Sequence, residues 1–307
     1  MTGRTLEPTD GGWNTPATPT IELVVDAHAA LGEGPLWDDR SGTVWWVDIT
    51  GEAVHATDPT TGRDEIFAVG QPVSAVGLRA TGGVILALRD GFAALDQDSG
   101  RVELLAPVEA DNPANRMNDG KVDPVGRFWA GTMAFDERPG AGALYRLERD
   151  LSVVKVLQHL TCSNGLDWTD DHRTMYFIDT PTRRVDRFDS DPVSGAISGR
   201  RTSIEIPPDA GWPDGMTLDA EGFLWVCLYD GWAVHRYAPD GRLDQRIELP
   251  VAQVTSCAFG GPALEELYIT TAQEGFPPGG RPEQPHAGGL FRCRPGVRGR
   301  LSHRFAG

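Results

Sequence analysis

The sequence predicts an all-β protein, a six-bladed β-propeller, and two observations carry this prediction. First, a short apolar strand recurs six times along the 307 residues. The centres of these strands are 40, 44, 47, 49 and 43 residues apart, at Trp45, Ile85, Trp129, Tyr176, Trp225 and Tyr268. Second, strand follows strand within each repeat. A period of about 40 to 50 residues with this pattern is typical of propeller blades, each of which is a four-stranded sheet.

Each recurring strand lies in a local pattern of turn, strand and further strand. Turns that contain Gly or Asp precede the first five strands, at residues 39–42, 81–83, 124–126, 169–172 and 219–222. Further strands with a period of two follow at residues 53–56, 142–147, 184–188 and 233–237. With 37 Gly and 23 Pro, the composition also favours many short strands over long helices.

The ends of the chain indicate how the ring closes. The last repeat ends early, at residues 289–293, while a strand-like run at residues 21–25 precedes the first repeat. We therefore predict that residues 21–25 form the outer strand of the last blade, which removes exposed sheet edges. The predicted organisation is a flexible leader over residues 1–20 and one propeller over residues 21–307. A pair of β-sandwiches or a β-solenoid is the alternative, but neither is expected to show this repeat.

Composition narrows the classes of partner. A net charge of −16 makes nucleic acid and anionic membranes poor partners, because like charges repel. The four cysteines lie 65, 30 and 36 residues apart, without the paired spacing of a zinc or redox site, and the chain has no run of 18 apolar residues. The N-terminus lacks the apolar run of a signal peptide, so we expect a cytoplasmic protein.

Polar residues recur in phase with the repeat. One stands 11 or 12 residues before each strand centre, giving the set Glu33, Ser74, Asn118, Asn164, Asp214 and Ser256. In a propeller the first strand of every blade surrounds the axis, so all six are expected to point into one channel. Taken singly, Asn-Gly and Asp-Gly pairs are more often turn residues. Taken together, the oxygens of Glu33, Asn164 and Asp214 suit a hard cation such as Ca²⁺, Mg²⁺ or Mn²⁺, while Zn²⁺ is possible but not selected.

Five motifs give the chain a specific resemblance. They are Gly32-Glu33-Gly34-Pro35, residues 115–123 (NRMNDGKVD), Gly131-Thr132-Met133, Ser163-Asn164-Gly165 and Pro213-Asp214-Gly215. From about residue 21 to residue 307 the chain closely resembles the senescence marker protein/regucalcin/gluconolactonase family.

The resemblance implies a propeller that holds a divalent cation on Glu33, Asn164 and Asp214. It further implies that Arg116 and Asn118 bind the substrate, and that a loop after Met133 contributes an acidic residue. The matching acid here is Asp136, where animal members have glutamate, which leaves substrate preference open. Lys121 and Asp123 are expected to hold their loop.

The expected activity is metal-dependent hydrolysis of sugar lactones to sugar acids. No Gly-x-Ser-x-Gly motif is present, and none of the six positions expected to face the channel is a Cys or a His. Covalent catalysis is therefore not supported. We expect Asp214 to act as the base towards water and Asn118 to donate to the oxyanion, while Arg116 holds the sugar. An esterase or organophosphate hydrolase on the same scaffold, or a calcium-binding regulator without enzymatic activity, are the alternatives.

Overall fold

The computed structural model describes residues 19–307, which form 25 β-strands in six sheets. The six sheets are the blades of a propeller, so the predicted fold class is confirmed. Of the predicted leader, residues 1–18 lie outside the described residues. Two short 3₁₀ turns, Thr180–Thr182 and Pro208–Ala210, are the helical elements of residues 19–307. No helix in that range is long and apolar enough to cross a membrane.

The first three blades follow one another directly along the chain. Blade 1 consists of β2 (Gly32–Asp38), β3 (Thr43–Asp48), β4 (Ala53–Asp58) and β5 (Arg63–Ala68). Blade 2 consists of β6 (Val73–Arg79), β7 (Val84–Leu88), β8 (Gly91–Leu95) and β9 (Val102–Pro107). Blade 3 consists of β10 (Asn115–Val122), β11 (Phe128–Ala134), β12 (Gly142–Leu147) and β13 (Val153–Leu160).

The last three blades repeat this order. Blade 4 consists of β14 (Ser163–Trp168), β15 (Thr174–Asp179), β16 (Arg184–Ser190) and β17 (Ile197–Glu205). Blade 5 consists of β18 (Trp212–Leu218), β19 (Leu224–Tyr229), β20 (Ala233–Tyr237) and β21 (Leu243–Glu248). Blade 6 consists of β22 (Val254–Gly260), β23 (Glu266–Thr271), β24 (Leu290–Cys293) and the N-terminal β1 (Glu22–Val25).

Strand β1 closes the ring as predicted. It pairs antiparallel with β24, so the fourth strand of blade 6 comes from the start of the chain. The C-terminal strand β25 (Arg304–Phe305) was not predicted. It adds to the inner edge of blade 2 by parallel pairing with β6. Both chain ends therefore cover sheet edges that would otherwise stay unpaired.

The first strand of every blade lines the axis. These innermost strands, β2, β6, β10, β14, β18 and β22, each contact the innermost strand of the next blade, and β22 contacts β2. The outermost strands, such as β5, β9 and β21, are mostly exposed. We call the end of the channel at which the innermost strands begin the upper end, and the other the lower end.

Apolar side chains fill the spaces between adjacent blades. Trp46, Trp129 and Trp225 are fully buried there, as expected for residues of the blade core. The indole N–H of Trp129 donates to Asp123 and that of Trp225 donates to Asp219, both at 2.9 Å. Burying these rings while pairing their N–H groups avoids the cost of an unsatisfied donor.

Candidate metal and substrate site

The innermost strands are interrupted near their upper ends. In four blades two consecutive residues face a single residue of the neighbouring strand, which is a β-bulge. The bulged pairs are Gly34-Pro35, Asn118-Asp119, Asn164-Gly165 and Asp214-Gly215. A bulge re-aims side chains and breaks the alternation of a strand, so consecutive residues can both face the channel.

The innermost strands of the other two blades also carry one extra residue relative to their neighbouring strand. In blade 2 the inserted residue is Ser74, whose hydroxyl donates to the carbonyl oxygen of Met117. In blade 6 Ser256 follows the inserted residue. The six polar positions selected from the repeat therefore all lie at the upper halves of the innermost strands.

Glu33 and Asp214 form a pair of buried carboxylates. Their residues are only 5% and 6% exposed. Burial, followed by the negative charges of Asp214 and Asp119, raises the pKa of Glu33 well above its ordinary value. Burial and the charge of Asp119 likewise raise the pKa of Asp214. These groups are close enough to repel one another, so ionising both of them in the folded protein is costly.

Asn164 lies beside this pair, with 4% of its surface exposed. Its Nδ2 atom donates to Thr180 Oγ1 at 2.9 Å, and the Thr180 hydroxyl in turn donates to the Pro213 carbonyl at 2.8 Å. Its Oδ1 atom is buried and has no hydrogen-bond partner among the described residues. The amide is thus held by its nitrogen, and its oxygen is left to accept.

These three side chains fit a hard divalent cation. One divalent cation bound by these oxygens would reduce the repulsion between the two carboxylates. It would also give the amide oxygen a partner. Glycines beside Asn164 and Asp214 keep the channel wall close, since a Cβ on Gly165 would lie 2.8 Å from the Asp214 carbonyl oxygen. Within residues 19–307 no cluster of three or more His, Cys, Asp or Glu could hold a metal, and the candidate set named here has two carboxylates and one amide.

Arg116 and Asn118 lie next to each other in blade 3. Arg116 is 7% exposed, and its Nη1 atom donates to Asn118 Oδ1 at 2.7 Å and to the Met117 carbonyl at 2.9 Å. Asn118 Nδ2 donates to the Ser163 carbonyl at 2.8 Å and lies 3.7 Å from Cys162 Sγ. Asn118 therefore fixes the orientation of the arginine. The second side-chain N–H of Asn118 has only the sulfur of Cys162 as a partner among the described residues, and sulfur is a weak acceptor.

Asp136 lies in the loop after β11, at the upper end of blade 3. Its side chain is 65% exposed and contacts Arg138 Nη1 at 3.1 Å. The backbone N–H and the guanidinium of Arg138 lower the pKa of Asp136. Its assignment as a substrate-binding residue stays a prediction.

Two channel residues were missed or placed differently by sequence reasoning. Asp119 is buried, and burial raises its pKa to about 6. Alternation along a strand would point it away from the side to which Asn118 points, and only the bulge allows both to face the channel. Lys121 was expected to hold its loop. Its Nζ atom instead bridges to Asp167 at 3.0 Å and to the Met216 carbonyl at 2.9 Å, in the next two blades.

Below Glu33 and Asp214 the channel contains a cavity of about 330 Å³. All six innermost strands contribute to its wall, and residues 300–303 of the C-terminal segment lie at its lower end. Arg300 there donates to the Trp168 carbonyl at 3.0 Å and pairs with Asp170. Asp119 and Ser256 line the cavity, whereas Glu33, Asn164 and Asp214 do not. The candidate metal residues thus lie above this cavity.

The upper mouth carries a further acid, which sequence reasoning also missed. Glu274 follows β23 in blade 6 and is exposed, and the Tyr229 hydroxyl of blade 5 lies 3.4 Å from its Oε2 atom. Trp212 is the cross-strand neighbour of Tyr229 and is 39% exposed. Its ring packs against the Arg183 guanidinium at 3.5 Å. Nothing in the repeat pattern marks Glu274, because it lies in a loop.

Comparison with known proteins agrees with this architecture. Residues 31–273 match the SMP-30/gluconolactonase/LRE-like region. Regucalcin of Xenopus laevis is 44% identical over 294 residues, which cover 94% of this chain and 98% of that protein.

Two solved structures share the whole propeller. A calcium-binding protein, regucalcin, from Agrobacterium tumefaciens has a TM-score of 0.88 at 32% identity, covering 94% of this chain and 97% of the other. A luciferin-regenerating enzyme has a TM-score of 0.87 at 32% identity, covering 93% and 99%.

Proposed function

The chain belongs to the SMP-30/gluconolactonase/LRE-like family, and from that premise we propose that it hydrolyses sugar lactones to the corresponding sugar acids with one divalent cation. The observation that supports this most is the charge at the upper end of the channel. Glu33 and Asp214 are buried there without an ion pair among the described residues, beside an Asn164 oxygen that has no donor. Burying such groups without a partner is costly, and a bound cation would offset that cost.

Glu33, Asn164 and Asp214 would hold the cation. When bound, a divalent cation supplies Lewis-acid polarisation of an ester carbonyl. A lactone is a cyclic ester, so its hydrolysis also needs an activated water and a donor to the oxyanion. In this proposal Asp214 takes a proton from the attacking water as the new C–O bond forms, and returns it to the ring oxygen when the ring C–O bond breaks.

Arg116 and Asn118 supply binding and charge stabilisation. The guanidinium of Arg116 uses Nη1 to contact Asn118 and Met117, and its other N–H groups are left for the hydroxyls of a sugar. One N–H of Asn118 points at Cys162 Sγ, which is a weak acceptor. This N–H can therefore donate a hydrogen bond to a substrate oxygen instead, at little cost in free energy. Asp136 would add a hydroxyl contact from the loop above.

A calcium-binding role without catalysis is the second candidate. It is favoured by the relatives, since the Agrobacterium tumefaciens protein is described as a calcium-binding protein, regucalcin. The same three oxygen ligands would serve it. We place either function in the cytoplasm, on the grounds given by the sequence.

Hydrolysis across a metal series separates these functions. The full chain is stripped with a chelator, and base uptake at constant pH is measured with glucono-1,5-lactone after adding Ca²⁺, Mg²⁺, Mn²⁺ or Zn²⁺ singly. We expect activity to vanish on chelation and to return with at least one metal, while a phosphotriester is turned over poorly.

Full activity in the stripped protein would remove the cation from the reaction. Tight Ca²⁺ binding, measured by calorimetry, with no lactone turnover under any metal would instead favour the calcium-binding role. Faster turnover of the phosphotriester than of the lactone would assign the chain to a different hydrolase class.

A further inference from the structure

Arg116 and Glu274 come from opposite sides of the ring. Arg116 belongs to blade 3 and Glu274 to the upper loop of blade 6, and in a ring of six these blades face each other across the axis. Within residues 19–307 Arg116 forms no ion pair, although it is buried. Burial lowers the pKa of Arg116, and the negative charge of Glu274 is among those that act against this effect. The space between Arg116 and Glu274 is therefore bounded by opposite charges.

The backbone at Glu274 is firmly held. The side-chain Nε2 of Gln253 donates to the Glu274 carbonyl at 2.9 Å, and the Gln253 carbonyl accepts the N–H of Ala272 at 3.0 Å. The N–H of Gln273 donates to the Ala30 carbonyl at 3.2 Å. Among the described residues, the carboxylate itself has one hydrogen-bond contact, the long 3.4 Å contact with the Tyr229 hydroxyl. Because the backbone is fixed and the carboxylate has few hydrogen bonds of its own, Glu274 is suited to accepting hydrogen bonds from a ligand.

Tyr229 links this acid to the proposed metal residues. It pairs with Trp212 across β18 and β19, and Trp212 lies two residues before Asp214. Burial and the charges of Glu274, Asp230 and Asp214 raise the pKa of Tyr229, so the phenol stays protonated and can donate. Tyr229 and Glu274 thus form a wall of the channel mouth that offers one hydroxyl and one carboxylate.

We propose that Glu274, together with Tyr229, binds hydroxyl groups of the substrate on the side of the mouth opposite Arg116, and thereby selects polyhydroxylated lactones over unsubstituted ones. This inference rests on the proposed lactonase function. A carboxylate accepts from sugar hydroxyls in charge-assisted hydrogen bonds, and an unsubstituted lactone has no group to donate to it. A site that is built to bind hydroxyls rejects a ligand without them, because its own polar groups lose their partners.

The test compares two substrates. Steady-state kcat and KM are measured for the wild type, Glu274→Ala, Glu274→Gln and Tyr229→Phe with glucono-1,5-lactone and with δ-valerolactone, which has the same ring without hydroxyls. Where δ-valerolactone is turned over too slowly, its inhibition constant against gluconolactone replaces KM. Glu283→Gln, an exposed acid of the same loop, is the matched control for lost charge.

We expect Glu274→Ala to lower kcat/KM for gluconolactone about tenfold, mostly through KM, which is the effect of one charge-assisted hydrogen bond. Glu274→Gln, which keeps an acceptor, should lose about threefold, and Tyr229→Phe a similar amount. Values for δ-valerolactone should stay within about twofold of the wild type, because that substrate makes no hydrogen bond to Glu274 that a substitution could remove. Glu283→Gln should also stay within about twofold on gluconolactone, because Glu274 is intact in it.

Equal losses on both lactones, or no loss on gluconolactone, would overturn the inference and leave the lactonase function standing. A wild type that hydrolyses neither lactone under any metal would overturn the proposed function itself. The two failures are therefore told apart by the wild-type measurement alone.

Discussion

The two ends of the innermost strands use buried aspartates in opposite ways. Near the lower end, Asp123 accepts from Arg127 Nε at 2.6 Å and from Trp129 Nε1 at 2.9 Å. Asp219 occupies the corresponding place in blade 5, where it accepts from Trp225 and from Arg236 Nε at 2.8 Å. At the upper end Asp214 is also buried, but it has no ion pair among residues 19–307.

The difference shows that burial of a carboxylate does not by itself mark a functional site. The lower aspartates are buried together with their cations and donors, so they stabilise the turn between two strands of a blade. At the upper end Glu33 accepts the backbone N–H of Gly34 at 2.9 Å, but within residues 19–307 neither Glu33 nor Asp214 forms an ion pair. That lack, and not their burial, makes them the candidate ligands of a cation.

The largest expected effect comes from Asp214→Asn. It should lower lactonase activity about a thousandfold, since it removes the proposed base and one ligand of the cation. The metal-free variant should nevertheless be more stable than the wild type by about 1 kcal/mol, because a buried repulsion is relieved. Activity and urea unfolding, with exposed Asp209→Asn as the matched control, measure both effects.

The same variant should change the pH dependence of stability. In the metal-free wild type the folded state holds the proton of Asp214 at a higher pH than the unfolded state does, since its pKa is raised. Stability therefore falls as the pH rises above the ordinary aspartate pKa, and Asp214→Asn should weaken that fall. Retained activity, or a variant less stable than the wild type at neutral pH, would show that Asp214 is not an unpaired carboxylate of the reaction site.

Asp123→Asn should have the opposite outcome. It leaves the buried guanidinium of Arg127 without its carboxylate, and breaking a buried ion pair from one side costs about 3 to 5 kcal/mol. Urea unfolding should show this loss, whereas exposed Asp98→Asn should change stability by less than about 0.5 kcal/mol. Below the unfolding transition, KM for gluconolactone should stay near the wild-type value. A stability loss under about 1 kcal/mol would mean that the lower aspartates are not structural.

Asp136→Asn should have the smallest effect. The carboxylate is exposed and already contacts Arg138, so a substrate hydroxyl gains little from it. We expect KM for gluconolactone to rise about two- to threefold, with kcat unchanged, in steady-state assays. A tenfold rise would show that this loop closes over the substrate, and no change at all would remove Asp136 from the site.

The fold was predictable because its main signal is local and repeated. Each blade shows the same turn and strand pattern, so the period, the blade number and the outer strand from residues 21–25 could be read along the chain. The positions of Glu33, Asn164 and Asp214 follow from the same phase. Strand β25 escaped prediction because two residues carry no periodicity, and its pairing with β6 joins parts of the chain more than 200 residues apart.

The site was only partly predictable, for a reason seen at Asn118 and Asp119. Strand alternation assigns these neighbours to opposite faces, and a bulge that depends on pairing with β11 brings both to the channel. Glu274 and Tyr229 meet through loops and strands of different blades, which no local pattern reports. Asp214 lies on β18 and Asp219 in the turn that follows it. Whether each of these carboxylates is paired depends on which cations pack beside it.

The sequence by itself therefore determined the propeller, its closure and the phase of its polar residues, because hydrophobic periodicity and turn chemistry act between neighbours along the chain. Only the tertiary structure decided which buried charges are paired and which are not, because the partners of a charge are chosen by packing between distant blades.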